Sequence, residues 1–458
     1  PDAAALAAQP QRAAIGVRID RSNGLQTIDG FGVNINPKHW DNGKLVPVMD
    51  MLVDDMGCTL FRIDIWGQSN WVDPDGSLGP GALNEKHYAE VYAKEEFKCG
   101  KEMGLYLNKK GLKPYYNLSG IPPKWMLKKG DTLDPAAFRH YAEMCRSLVA
   151  WLRQPPAVSL ELFGPFNETD WGPPEGPKLG GREFVAASEA IAETFRKNNL
   201  SDVRLVLPES SHPVKWFDLL LGSPVLEGKI GVCAAHAYYQ FDGTFAPGWL
   251  PRIQAGPNKN SRFWLGEYGT LDQGLPDQWG KAVYVFDILM RGLKHGFSAA
   301  LNWDAYDNYH WHDRVWTRYG LIEASPPVDT EKCYHGGTYT PKKRYYACKQ
   351  AYHFVRPGFL RLSSSPCDDI DSDLYVLAFA SPDGKRVSAV GMNRKKAQVD
   401  VVLELSGFDK GLAARPLDVY WTTATEDCVK GAAASLGEDN TVKVTLPADC
   451  IFTTTNVQ

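Results

Sequence analysis

The sequence has no uninterrupted run of about 18 apolar residues, the length that a membrane-spanning helix requires, so it predicts no transmembrane segment. It also lacks an excess of basic residues, since 50 Lys and Arg stand against 54 Asp and Glu and the formal net charge is −4. A nucleic-acid-binding protein normally presents a basic surface, so nucleic acid is a poor candidate partner. We therefore expect a globular protein that engages neither membrane nor nucleic acid.

Paired cysteines of the Cys-x-x-Cys type are absent, although the chain contains nine Cys. Without such pairs a zinc site is not expected, and we predict no metal. Cys428 and Cys450 are candidates for a disulfide in the C-terminal region, as is Cys333 with a neighbour. Free buried thiols are an equal alternative for each pair, so the cysteines permit an oxidising compartment without requiring one.

No glycine-rich phosphate turn follows the first predicted strand, which argues against a doubly wound nucleotide-binding sheet. Instead, short apolar runs alternate with longer amphipathic segments from about residue 30 to 325, the pattern of βα units and a parallel sheet. The predicted strands are residues 31–34, 60–65, 113–117, 160–163 (running into 166–168), 204–207, 231–235, 263–267 and 299–303. Eight strands in this rhythm predict a closed (β/α)8 TIM barrel.

After residue 350 the pattern changes to short strands separated by turns, which predicts an all-β sandwich side domain. Before the barrel, a turn at Ser22-Asn23-Gly24 separates two short runs and predicts a hairpin that pairs with this sandwich. The predicted division is 1–14 disordered or trimmed, 15–28 N-terminal strands joining the side domain, 29–350 catalytic barrel and 351–458 β-sandwich. The sandwich strands are expected at residues 374–379, 387–392, 399–405, 417–421 and 442–446.

Two acidic residues close barrel strands, and in a barrel the catalytic groups lie at the C-terminal ends of the strands. Asn167-Glu168 closes the fourth strand and Glu267 closes the seventh. Either glutamate alone is as readily a salt-bridged rim residue. Together they suit glycoside hydrolysis, which needs two carboxyl groups flanking the scissile bond, about 5–5.5 Å apart in a retaining enzyme.

The chain resembles the clan A glycoside hydrolases, most closely glycoside hydrolase family 30. Asn167-Glu168 matches the clan's Asn-Glu pair, and Glu267 falls where the clan places its nucleophile. The other stretches that carry the resemblance are residues 26–32, 61–64, 120–126, 344–347 and 354–358. The sequence around Glu168, with Gly164-Pro165-Phe166 before it and residues 169–177 after it, departs from the family pattern, so the family's substrates do not transfer.

The resemblance implies a retaining glycosidase that acts on β-glycosidic bonds of a poly- or oligosaccharide, with Glu168 as general acid/base and Glu267 as nucleophile. It further implies that Tyr238 bonds the nucleophile and that His236 lines the site, although a lone His is as often a core residue. Glu209, at the end of strand five, is the main rival carboxylate, and we expect it to bind a sugar hydroxyl or to be structural.

Position at the barrel mouth suggests further substrate-binding residues. Arg62 holds Glu267 ionised or forms a structural ion pair with an acid such as Asp64, and Asn167 bonds the sugar 2-OH or caps a loop. Trp303 forms a stacking floor, while Trp125 and Trp171 either line further subsites or pack. The loop after strand eight is expected to form a polar substrate rim rather than a metal site; its residues are Asp304, Asp307, His310 and His312.

Two other functions remain open from the sequence. One is a non-catalytic carbohydrate-binding barrel, against which both glutamates argue. The other is a metal-dependent barrel hydrolase, which needs clustered histidines, whereas His39 stands alone near strand one. We expect a carbohydrate substrate, no cofactor, a monomer, and a secreted or extracytoplasmic protein. Residues 1–14 have no charged n-region, which fits a processed chain. The sequence leaves open which sugar and linkage are cleaved, and whether cleavage occurs within a chain (endo) or at its end (exo).

Overall fold

The computed structural model describes residues 14–76, 78–79, 81–212, 214–238, 245–273, 277–310, 315–325, 337–408, 412, 416–437 and 439–458. The chain forms two compact units. One is Asp29–Tyr345, and the other combines the residues up to Ile28 with Tyr346–Gln458. The first unit thus ends at Tyr345, whereas the boundary predicted from the sequence was residue 350. Across the described residues, no helix has the length and apolar character needed to cross a membrane.

Eight parallel strands close the first unit into a barrel, and each predicted run overlaps one of them. In barrel order, the strands are Gly30–Ile35, Leu60–Ile65, Tyr115–Leu118, Leu162–Gly164, Arg204–Ser210, Ile230–Ala237, Arg262–Tyr268 and Ala299–Asn302. Ala299–Asn302 pairs with Gly30–Ile35 to complete the ring. The predicted (β/α)8 barrel is confirmed.

Amphipathic helices cover the strands. In Phe138–Leu152 the buried residues include Tyr141, Met144, Cys145 and Leu148, a spacing of three or four that places them on one face. The α-helices are Val46–Asp50, Gln68–Trp71, Glu85–Tyr92, Glu95–Lys109, Phe138–Leu152, Gly181–Lys197, Phe217–Leu221, Phe245–Ala255, Gln278–Lys294 and Lys343–Tyr352. A π-helix, Met51–Met56, and short 3-10 helices at Pro37–His39, Asp41–Gly43, Lys124–Met126 and Pro135–Ala137 fill the connections.

The barrel interior is apolar in its lower part and polar at its C-terminal end. Its buried core consists of Tyr115, Leu162, Val206, Val232, Ala234, Trp264, Ala299 and Leu301, with Leu60 packed against it. Side chains two residues apart on a strand share a face. Arg62 therefore points inward above Leu60, and His236 points inward above Ala234. The apolar core of the barrel therefore lies beneath a layer of polar side chains at the mouth.

The second unit is one nine-stranded sheet. Its order is Val429–Lys430, Asp418–Thr422, Cys450–Thr455, Val387–Asn393, Leu374–Ala380, Leu360–Ser365, Ile15–Thr27, Val399–Ser406 and Thr441–Leu446. Strands from both ends of the sheet contribute to a single buried core, for example Val419 and Val444. The sheet therefore folds over on itself as the predicted β-sandwich.

The predicted N-terminal hairpin is wrong. Ile15–Thr27 is one continuous strand, antiparallel to Leu360–Ser365 along its length and parallel to Val399–Ser406. The register shifts between Asp20 and Gly24, so the turn-like segment is a bulge. The Asp20 carboxylate accepts hydrogen bonds from the backbone N and the hydroxyl of Ser22 at 2.9 and 2.8 Å, which satisfies the looped-out residues locally.

The Cys428–Cys450 disulfide is not formed. Cys450 is a buried thiol whose Sγ donates to the carbonyl of Pro447 at 3.2 Å, and burial raises its pKa to about 12. The other candidate, Cys333, lies outside the described residues.

Candidate active site

Local bulges reposition two carboxylates near the C-terminal ends of barrel strands. In the seventh strand, Leu265 lies opposite Ala235 and Glu267 lies opposite His236, so Gly266 is an extra residue. In the fifth strand, Glu209 is the extra residue between Pro208 and Ser210. Bulges next to active sites re-aim side chains in this way. The bulges interrupt the regular ladder, so that Glu267 reaches the mouth while Glu209 is buried beneath it.

Gly266 is required by close packing. A Cβ at this position would lie 2.3 Å from Oε2 of Glu209, far inside van der Waals contact. Any larger residue would displace that carboxylate and disturb the adjacent Glu267. The glycine before the predicted nucleophile therefore has a specific structural reason.

The structure brings the predicted catalytic pair together. Terminal atoms of Glu168, His236 and Glu267 all lie within 4.8 Å of one another. Glu168 has a φ of 41°, in the left-handed region, and its backbone N donates to the carbonyl of Glu209 at 2.9 Å. Such backbone conformations in non-glycine residues concentrate at functional sites.

Both carboxylate oxygens of Glu267 are held by donors. Arg62 Nη1 lies 2.7 Å from Oε1, and the Tyr238 hydroxyl donates to Oε2. The side chain is 5% exposed. These two contacts fix the orientation of the carboxylate at the mouth.

Arg62 organises the centre of the site. It is fully buried, and its guanidinium also donates to Oδ1 of Asn34 at 2.8 Å and to Oδ1 of Asn167 at 2.7 Å. Burial alone would lower the pKa of Arg62, but the charges of Glu267 and Glu209 raise it, so the group stays charged. The guanidinium therefore engages Glu267, and the alternative ion pair with Asp64 is not formed.

His236 bridges two carboxylates. Its Nδ1 lies 2.6 Å from Oε1 of Glu168 and its Nε2 lies 2.7 Å from Oε2 of Glu209. Burial would lower the pKa of His236, but Glu267, Glu168 and Glu209 together raise it well above its ordinary value. The protonated ring then donates one hydrogen bond to each side and fixes the orientation of Glu168.

The pKa of Glu168 is raised. Burial is the main cause, the hydrogen bond from His236 opposes it, and the negative charge of Glu267 adds to it. A carboxyl group with a raised pKa retains its proton at higher pH, which a general acid requires. Asn167, adjacent in sequence, is 4% exposed, and its Oδ1 is occupied by Arg62.

Glu209 lies beneath the site and is fully buried. Tyr115 donates to its Oε1 at 2.9 Å, and Arg62 Nε lies 3.7 Å away. Burial alone would raise the pKa of Glu209, but Arg62 and His236 hold it below its ordinary value. The expected contact with a sugar hydroxyl is corrected, because both oxygens face protein donors and none reaches solvent. Of the two roles expected for Glu209, the structural one is therefore the one that fits these contacts.

The three predicted aromatic residues lie in different environments. Trp303 is half-buried and lines a cleft at the mouth. Trp171 is 60% exposed and stacks on His212 with ring centroids 5.9 Å apart. Trp125 donates from Nε1 to the carbonyl of Asp73 at 2.7 Å and meets His140 edge-on, so it packs against two other segments of the chain.

The predicted polar rim after strand eight is mostly buried. Asp307 is 1% exposed and forms an ion pair with Lys342 at 2.5 Å, which corrects its assignment to the rim. Asp304 and His310 line the same cleft as Trp303. His312 lies outside the described residues.

Glu168, His236 and Glu267 are close enough to ligate a metal ion, and within the described residues they are the one such group. Their donors and acceptors are already engaged, however. Arg62 and Tyr238 occupy the oxygens of Glu267, and a protonated His236 has no lone pair to offer. These contacts already use the atoms that a metal ion would need.

Three residues of the site were missed at the level of sequence. Asn34 lies next to the end of the first strand and accepts from Arg62, and its position near a strand end is the signal that could have identified it. Asp64 ends the second strand and lines the cleft. Tyr115 donates to Glu209, but nothing in the sequence distinguishes it from the adjacent Tyr116, whose hydroxyl donates to Gly100 on the helix side.

No known family model matches the sequence, and no curated protein matches it either. Solved structures do match. A GH30 endoxylanase from Clostridium papyrosolvens C71 has a TM-score of 0.71 at 18% identity, covering 97% of this chain and 100% of the other. The fold is that of glycoside hydrolase family 30. This confirms the predicted resemblance at the level of fold.

Two other structures with this fold show its breadth. A conserved exported protein from Bacteroides fragilis has a TM-score of 0.72 at 18% identity, covering 96% of this chain and 100% of that one. An endo-β1,6-glucanase has a TM-score of 0.68 at 14% identity, covering 96% and 94%. A xylanase and a glucanase share the family 30 fold, so the fold alone does not select a sugar.

The Tyr238 hydroxyl is expected to support Glu267. In Tyr238→Phe, one oxygen of a buried carboxylate loses its donor, which costs about 1–3 kcal/mol. We expect kcat to fall roughly 5- to 150-fold with KM little changed, measured on an activated aryl β-glycoside. An unchanged kcat would show that this hydroxyl does not help Glu267. Tyr106→Phe, which removes a hydroxyl that donates to Asp50, serves as the control.

Proposed function

We propose that the protein is a retaining glycoside hydrolase that cleaves β-glycosidic bonds of a poly- or oligosaccharide through a covalent glycosyl-enzyme. The separation of Glu168 and Glu267 carries the proposal, since their oxygens approach within 4.8 Å. Retaining enzymes hold the two carboxyl groups about 5–5.5 Å apart, whereas inverting enzymes need about 6.5–9.5 Å to admit a water.

In the first step, Oε of Glu267 attacks the anomeric carbon while Glu168 donates its proton to the leaving oxygen. The C–O bond to the aglycone breaks as the bond to Glu267 forms, and the aglycone departs as an alcohol. Glu168 retains this proton until the reaction because its pKa is raised. Arg62 and Tyr238 hold Glu267 in place for attack.

In the second step, Glu168 acts as base. Once Glu267 is esterified its charge is gone, and the contribution of that charge to the raised pKa of Glu168 disappears. The ionised Glu168 removes a proton from water, which attacks the anomeric carbon and releases Glu267 as carboxylate. Two inversions give net retention, and both residues return to their starting states.

The test is a screen of plant and microbial β-glycans and aryl β-glycosides, followed by ¹H NMR of the first product. We expect the β-anomer to appear before mutarotation equilibrates it. An initial α-anomer would contradict the retaining mechanism. Lack of release from the whole panel would favour a non-catalytic carbohydrate-binding barrel, and loss of activity in a chelator would favour a metal-dependent hydrolase.

Trp171 is proposed to form an outer sugar platform, because its ring is largely exposed three residues after Glu168. We expect Trp171→Ala to raise KM for long oligosaccharides about 2- to 10-fold, without changing kinetics on an aryl monosaccharide or the Tm. Trp125→Ala should instead lower the Tm, because that ring packs against Asp73 and His140. Equal effects of Trp171→Ala on short and long substrates would contradict a platform role.

We also propose that the protein acts outside the cytoplasm as a monomer on its carbohydrate substrate, without a cofactor. A polymeric substrate cannot enter a cell, and one protein with this fold is described as exported. Cell fractionation and light scattering test location and mass, and a cytoplasmic pool or a stable dimer would contradict these points.

A further inference from the structure

Asp64 is a carboxylate at the barrel mouth that takes part in neither of the two proposed chemical steps. It ends the second barrel strand two residues after Arg62, so it shares the inward face and lies one step nearer the opening. In the described part of the chain its one hydrogen bond comes from the Ser119 hydroxyl to Oδ1, and no lysine or arginine forms an ion pair with it. Oδ2 is left to accept from a ligand.

The surroundings of Asp64 make an unpaired carboxylate costly. Burial raises its pKa to about 6, partly offset by the charge of Arg62, and the charge of Glu267 raises it further. Asp64 also lies two residues after Arg62, whose guanidinium binds the predicted nucleophile Glu267. A half-buried carboxylate that lacks an ion-pair partner is compensated when donors approach it, so a ligand with hydroxyl groups would relieve the cost.

The cleft that Asp64 lines combines aromatic and polar walls. Trp66 and Trp303 contribute rings, and the polar members are Asn36, Asp64, Asp304, Asn308 and His310. Asp304 is 3% exposed, and among the described residues its Oδ1 has no hydrogen-bond partner. Sugars present C–H faces to aromatic rings and hydroxyl edges to acceptors, so the chemistry of this lining suits a sugar.

We propose that Asp64 accepts hydrogen bonds from ring hydroxyls of the sugar that reacts at Glu267, and thereby selects a neutral sugar unsubstituted on that edge. The inference rests on the proposed glycosidase function. A uronic acid would bring a further negative charge towards Asp64, Asp304 and Glu267, so it is disfavoured on Coulombic grounds.

The experiment measures coupling between Asp64 and individual hydroxyls. The substrates are the 2,4-dinitrophenyl β-glycoside that the wild type cleaves fastest, its monodeoxy analogues and the matching β-glucuronide. We expect Asp64→Ala to lower kcat/KM on the parent about 10- to 100-fold. On the analogue that lacks the contacting hydroxyl, variant and wild type should differ by less than about threefold, since that contact is already lost.

Two further variants keep the result interpretable. Asp64→Asn preserves volume, so it should show the same selectivity with a smaller loss even if the Ala variant has a lower Tm. Asp202→Asn removes an exposed acid, paired with Arg153 before the fifth strand, and should leave all rates unchanged. Equal losses on every deoxy analogue, or glucuronide cleavage as fast as that of the parent, would overturn the role of Asp64. A wild type that cleaves no glycoside would overturn the proposed function itself.

Discussion

Replacing Glu267 with Ala is expected to abolish turnover of every glycoside, a larger loss than the roughly 10²–10⁴-fold that a general acid contributes. The physical reason is that Glu267 forms the bond to the anomeric carbon, and the neighbouring strand-end acid Glu209 is fully buried and cannot replace it. Azide should restore cleavage of a dinitrophenyl β-glycoside by occupying the vacated space. The product should be the α-glycosyl azide, because only one inversion then occurs.

Glu168→Ala gives the matched comparison. Dinitrophenolate leaves without protonation, so the first step should remain fast and the glycosyl-enzyme should accumulate as a burst. Azide needs no general base, so it should accelerate release and yield the β-glycosyl azide. If both variants gave the same azide anomer, or if azide rescued neither, the assignment of nucleophile and acid/base would be wrong.

Glu209→Gln is expected to have the second largest effect, on stability. With Glu168 protonated, the buried site balances Arg62 and His236 against Glu209 and Glu267. Removing the charge of Glu209 leaves one cation uncompensated, and breaking a buried pair in this way costs about 3–5 kcal/mol. The matched control is Glu161→Gln, which breaks a half-exposed pair with Lys113 and should cost about 0–1 kcal/mol.

The pH dependence of this loss has a defined sign. The folded-state pKa of Glu209 lies below its ordinary value, so its stabilisation is present above about pH 4.3 and is lost as pH falls through the folded pKa. The difference in free energy of unfolding between wild type and Glu209→Gln should therefore be full at pH 7 and shrink in acid. A constant difference from pH 7 to pH 3 would show that lost packing, and not charge, causes it.

Glu209→Gln should also shift the pH profile of activity. Removing a negative charge lowers the pKa of neighbouring groups, including Glu168 and His236. Because the acid step requires protonated Glu168, the basic limb of kcat/KM should move to lower pH. A basic limb that stays in place would show that Glu209 does not influence Glu168 through His236.

The sequence alone determined the architecture and the two glutamates. Strand periodicity and βα alternation depend on which residues are apolar, a local property, so eight barrel strands and the sandwich were predictable. Glu168 and Glu267 were identifiable because acids that end apolar strands in a barrel converge on one mouth. The turn signal at Ser22-Asn23-Gly24 was misleading, since the same residues suit a hairpin and a bulge.

Only the tertiary structure decided how the acids are divided between roles. Glu209 and Glu267 both end strands, but a one-residue bulge buries the first and presents the second beside Glu168. Burial and charge then set the protonation of Glu168, Glu209 and His236 through neighbours distant in sequence. Those quantities depend on three-dimensional distances between residues of different strands, which no local pattern in a single sequence contains.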